Sequence, residues 1–153
     1  MFEGFDRPED RPHTLPWLWT QFAAGFAVML PMIWLFGQWG LESLVVIPIL
    51  INVIGDGLAE PVGVRFGKYR YKTKALFTNK EYFRTFEGSA CVLITGFIVI
   101  AMHADYFTAT QYALAMLSVP IIMTLTEAYS PHTWDTPLLM FTGYISLLLV
   151  MQF

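Results

Sequence analysis

The chain has 153 residues, 56% hydrophobic and 14% charged, with a net charge of −3 and a mean hydropathy of +0.52. That balance lies outside the usual range for a soluble domain of this size. The expectation is an all-α, polytopic integral membrane helical bundle with about five transmembrane helices, bathed in membrane lipids and without a nucleic-acid partner.

Residues 1–15 form a leader expected to be cytoplasmic, containing the acidic, Pro-bearing stretch EGFDRPEDRPHT. The first apolar run, Pro16 to Gly37, lacks a basic flank and a small-residue cleavage site, so it reads as a retained helix rather than a signal peptide. Four more runs follow: Leu41 to Val62, Gly88 to Met102, Phe107 to Thr126 and Pro137 to Phe153. Most reach or approach the ~20 residues that span a ~30 Å hydrocarbon core, while the third and fifth need their flanks to complete the crossing. The single cysteine, Cys91, sits inside the third run and reads as a packing residue. With connections this short, residues 16–153 form one domain, with a basic loop over residues 63–86.

The nine Lys and Arg residues are Arg7, Arg11, Arg65, Lys68, Arg70, Lys72, Lys74, Lys80 and Arg84. With five spans all nine fall on one side, which the positive-inside rule makes cytoplasmic. Orientation and contact with anionic headgroups would explain the bases alone. They would not explain Asp56, Glu60, Glu87, Glu127 and Asp135, which gather on the same side. On one helix Asn52, Asp56 and Glu60 share a face, and a carboxylate at hydrocarbon depth costs a few kcal/mol, which marks a functional position by default.

Carboxylates opposite a Lys/Arg cluster suit phosphoryl or nucleotidyl transfer, with Mg²⁺ held by the acids and the remaining phosphate charge met by the bases. Asp56, Glu60 and Glu87 are the expected metal ligands. Gly55, Gly57, Gly63 and Gly67 would let backbone approach phosphates, although Gly63-x-x-x-Gly67 is also a helix-packing spacing, and both readings stay open. A P-loop is excluded, because three residues separate Gly63 from Gly67 and Tyr69 follows Lys68. The pattern of CDP-alcohol phosphotransferases is excluded by the absence of any acid between Pro61 and Lys80.

The order Asp56-x-x-Ala59-x-x-x-Gly63-x-x-x-Gly67-Lys68, then Arg84-Thr85-Phe86-Glu87-Gly88-Ser89, resembles the CTP-dependent lipid-alcohol kinases, the phytol, dolichol and yeast-type diacylglycerol kinases. Glu127-Ala-Tyr-Ser130-Pro131-His132-Thr-Trp-Asp135 looks like that family's second acidic loop, so the resemblance covers roughly residues 50 to 140. Two departures stand out. The step between the motifs is lengthened by YRYKTKALFTNKEYF, and Arg84 stands where Lys is common. The His-Gly-Gly segment of phosphatidate cytidylyltransferases is missing. The resemblance implies Asp56, Glu87, Glu127 and Asp135 as catalytic residues, with His132 as a proton shuttle or a structural hydrogen-bonding residue. It implies Ala59, Gly63, Gly67, Lys68, Lys72, Arg84, Thr85, Gly88 and Ser89 as the nucleotide site, with Lys72, Lys74 and Arg84 competing for phosphate. Expected partners are CTP or another nucleotide, a lipid alcohol and a second copy of the chain; the expected cofactor is Mg²⁺. A CDP-lipid-forming nucleotidyltransferase and a non-enzymatic transporter or scaffold are the alternatives.

Overall fold

The computed structural model describes residues 14–74, 81–132 and 134–153; Arg7, Arg11, Lys80 and the leader to residue 13 lie outside the described residues. Five helical rods run in chain order. The first is α1 (Thr14–Gln38), and the second is built from α2 (Val46–Leu50), a π-helical turn (Ile51–Asp56) and α3 (Gly57–Phe66). After a hairpin of β1 (Arg70–Lys74) and β2 (Glu81–Thr85) come α4 (Phe86–Met102), α5 (Ala109–Tyr129) and α6 (Asp135–Val150). Three rods, Thr14–Gln38, Glu42–Phe66 and Ala109–Tyr129, are long and apolar enough to cross a membrane; α4 and α6 are shorter apolar helices. The chain is a membrane protein of helical-bundle type.

Sequence chemistry sets the helix starts. Thr85 is extended and its Oγ1 accepts the N–H of Gly88 at 3.0 Å, so α4 begins two residues before its apolar run. Thr108 and Gln111 exchange side-chain and backbone hydrogen bonds in a capping box that starts α5. The second rod is not a uniform helix, because the π-helical turn between Ile51 and Asp56 resets its phase. Asn52 is buried in the bundle while Glu60 is exposed, so the single face expected for Asn52, Asp56 and Glu60 is divided.

The core gathers Phe36, Ile47, Ile51, Val92, Val119, Met123, Leu139, Tyr144 and Leu147 from all five rods. Tyr144 meets Phe36 edge to face at 5.4 Å and donates its hydroxyl to the Val45 carbonyl at 3.2 Å. Outward faces stay apolar: Trp19, Leu30 and Trp34 on α1, Ile94 and Ile98 on α4, and Leu117 and Leu125 on α5 are exposed, as lipid-facing helices require. The first rod is peripheral. Only 6% of its most apolar stretch is buried against 39% for the second, and it is held mainly by α6.

The expected basic loop is, in its described part, an antiparallel β-hairpin that pairs Arg70 with Thr85, Lys72 with Phe83 and Lys74 with Glu81. This is the one β element in an otherwise helical chain among the described residues. Its side chains alternate up to Arg84: Tyr71, Thr73, Tyr82 and Arg84 face the bundle, while Arg70, Lys72, Lys74, Glu81 and Phe83 face outward. Among the described residues of the two strands, Arg84 is the only base that faces inward.

Candidate active site

The inner face of the hairpin closes over a cavity of about 730 Å³. Its walls come from the start of α1, the π-turn and α3, β2, the start of α4, the end of α5 and the start of α6. Eleven of the residues singled out from the sequence for the site line it together: Asp56, Gly57, Ala59, Glu60, Gly63, Arg84, Thr85, Gly88, Glu127, His132 and Asp135. Gly67, Lys68, Lys72, Glu87 and Ser89 are not part of its lining. Residues not singled out for the site also belong to it, above all Trp17, Leu18, Gln21 and Phe22 of α1 and Tyr82 of β2. The signal for α1 was available as a polar Gln21 inside an apolar run, one turn from Trp17 and Leu18.

One side of the cavity is a closed polar network. Arg84 Nη1 donates to Glu127 Oε1 at 2.9 Å and Arg84 Nη2 to Asp135 Oδ2 at 3.0 Å, with only 12% of the arginine side chain exposed. Glu127 Oε2 accepts the Ser89 hydroxyl at 2.6 Å, and Ser89 in turn lies 2.7 Å from the Tyr71 hydroxyl. Burial alone would make the Arg84 guanidinium easier to deprotonate, but the Asp135 and Glu127 carboxylates outweigh it and hold its pKa above the ordinary value. The Tyr71 phenol is pushed up by burial, against the pull of its Ser89 hydrogen bond. Asp135 Oδ1 also takes the Thr136 N–H at 2.9 Å, and Gln21 donates to Thr136 Oγ1, which ties α1 to the same network.

The α5–α6 connection completes this side. His132 stacks on Tyr82 at 3.9 Å with a 15° tilt, lies edge-on to Trp17, and donates its backbone N–H to the Lys74 carbonyl at 2.9 Å. Thr73 donates to the Ser130 carbonyl. Of the two roles left open for His132, these contacts support the structural one.

The motif glycines pack around Thr85. A Cβ on Gly63 would lie 2.6 Å from Thr85 Oγ1 and one on Gly88 would lie 2.7 Å from the Ala59 carbonyl, while one on Gly67 would collide with Gly63 and Thr85. The packing reading of Gly63-x-x-x-Gly67 thus has a specific partner, the residue that caps α4.

Glu87 stands apart from Asp56 and Glu60, with its Oε1 accepting the Lys68 backbone N–H at 2.9 Å. Among the described residues no group of three or more His, Cys, Asp or Glu side chains is placed to share a metal ion. The donor set Asp56, Glu60 and Glu87 therefore does not fit one ion. Asp56 and Glu60, one turn apart and both lining the cavity, fit the one or two carboxylates with which Mg²⁺ on a phosphate substrate is ordinarily held. Lys72 forms an exposed pair with Glu81 at 2.7 Å.

Compared with protein-family models, with curated proteins and with solved structures, the chain matches none.

Proposed function

We propose that the protein is a multi-pass membrane phosphotransferase that moves the terminal phosphoryl group of CTP, or of another nucleotide, to the hydroxyl of a lipid alcohol at the cytoplasmic surface. The observation that carries this reading is the mixed lining of the cavity. Carboxylates from α3, α5 and α6 meet there beside apolar residues of α1 and α3, which suits a polar reacting group on a hydrocarbon chain. The motif resemblance supplies the nucleotide, and the bases at the hairpin end of the bundle supply the orientation.

In this reading the alcohol oxygen attacks the terminal phosphorus, the bond from that phosphorus to the bridging oxygen breaks, and the nucleoside diphosphate leaves. Asp56, at the inner end of α3, takes the hydroxyl proton. Apart from the outward-facing Arg70 and Glu81 of the hairpin, the lining holds four carboxylates, Asp56, Glu60, Glu127 and Asp135, against the guanidinium of Arg84. Arg84 is already engaged by two of them. A bare polyphosphate would be repelled, so the donor is expected as its Mg²⁺ complex, with Glu60 as the protein's ligand while Asp56 serves the proton. Bound Mg²⁺ supplies charge neutralisation on the phosphates.

The test uses purified protein in nanodiscs with radiolabelled CTP or ATP and a panel of long-chain alcohols. Phosphorylated lipid plus nucleoside diphosphate is the expected product pair. CDP-lipid plus pyrophosphate would replace this reading with nucleotidyl transfer, and no turnover with any donor would remove it.

A further inference from the structure

We propose that the gap between α1 and α3 is a lateral binding cleft in which the tail of a long-chain alcohol lies, entering from the bilayer and not from the aqueous end. Two helix faces meet across this gap. Leu18, Gln21 and Phe22 project from α1, and Asp56, Glu60 and Val64 line the opposite wall from the second rod, each set at the three- and four-residue spacing of one helical face. From Thr14 to Phe22, both at the cavity, the helix rises ~12 Å, so the space reaches well below the polar end of the bundle.

The rim is open sideways. Phe22 is 49% exposed and Val64 80%, and Gly57 and Glu60 between them are exposed as well, on the side where neighbouring residues such as Leu58 face outward. α1 is held mainly by α6, to which Gln21 is tied through Thr136, and α3 is not among its main partners, which leaves α1 as the wall able to part. The lining also selects the head group. A carboxylate or phosphate head would meet an excess of carboxylates in the cavity, whereas an uncharged hydroxyl would not. An alcohol is therefore preferred over a fatty acid of equal length. The hydroxyl's fate rests on the phosphotransferase reading; the path of the tail does not.

The experiment is photoaffinity labelling of the full chain in nanodiscs with a long-chain alcohol that carries a mid-chain diazirine and a terminal alkyne, read by peptide mass spectrometry. Saturable labelling of residues 14–22 and 57–64 is expected, displaced by unlabelled alcohol and at least tenfold less well by the matching fatty acid. A Cβ on Gly57 has no neighbour within 4 Å and the position is exposed, so Gly57→Trp is the variant chosen to fill the mouth. That variant should lose the saturable labelling and keep the parent melting temperature. Labelling spread over Phe26, Leu30 and Ile98 that excess alcohol does not displace, or cleft labelling unchanged in a stable Gly57→Trp, overturns the proposal. Saturable cleft labelling in a protein that phosphorylates no alcohol would sink the phosphotransferase reading and leave the cleft. Turnover with only diffuse labelling would do the reverse.

Discussion

Asp56 and Glu60 on one wall of the cavity, and Glu127 and Asp135 on the other, are the same chemical group in two different settings. Glu127 is 4% exposed, and its oxygens are taken by Arg84 and Ser89; Asp135 holds Arg84 and the Thr136 amide. Glu60 is exposed, and Asp56 sits where a π-helical turn gives way to α3. Carboxylates whose oxygens are tied up by a guanidinium and hydroxyls fix three helices and a hairpin in place. The acids of the α3 wall are the ones the proposed reaction assigns to the proton and to the metal. Sharing a cavity does not make residues equivalent.

The widest separation between the two walls should come from Arg84→Ala. Removing the cation leaves Glu127 and Asp135 without it in a buried site, a change that costs about 3 to 5 kcal/mol. Thermal unfolding in nanodiscs should show a large drop in melting temperature; a value close to the parent's would mean the network is dispensable. Glu127→Gln keeps the shape but weakens charge-assisted hydrogen bonds worth about 1.5 to 3 kcal/mol, so its loss should also be read in stability. Asp56→Asn should leave stability nearly unchanged and lower turnover on the order of 10²-fold, the lower end of what a positioned acid–base group contributes. Near-parental turnover in Asp56→Asn would end its assignment as the base.

Gly63→Val separates the two readings of the glycines. Forcing a side chain against Thr85 should cost about 1 to 3 kcal/mol, as overpacking does, with a matching loss in melting temperature. A selective rise in nucleotide KM at unchanged stability would instead support the phosphate-cradle role. At the small end, Lys72→Ala removes an exposed pair with Glu81 and should change stability by less than about 1 kcal/mol. Nucleotide KM should stay level too, since Lys72 lies outside the cavity lining.

The five rods were legible because long apolar runs have few other uses, although only three are of bilayer length, but their ends were not. The expected Gly88 to Met102 became Phe86–Met102 and Phe107 to Thr126 became Ala109–Tyr129, because caps such as Thr85 and Thr108 are set by polar side chains that hydropathy does not weigh. The hairpin was written in the alternation of Tyr71-Lys72-Thr73-Lys74, yet the charge count drew attention to the bases and away from the period of two. Arg84 was read toward phosphate because its partners lie 43 and 51 residues downstream, and no local pattern encodes that pairing. The π-helical turn left no mark in composition either. Asp56, Ala59, Gly63, Thr85 and Gly88, by contrast, were legible as a motif and do meet in one place.

The long sequence separation within the Arg84 network bears on how the protein is made. Arg84 is synthesised 51 residues before Asp135, which at 5 to 20 residues per second leaves it waiting about 3 to 10 s for its last partner. Until α5 and α6 have emerged, the hairpin has neither Glu127 nor the Lys74 to His132 backbone bond to settle on, so a ribosome-bound chain stalled before Glu127 should show its hairpin fully open to protease. Closure of the cavity then waits on α5 and the start of α6, which supply Glu127, His132 and Asp135.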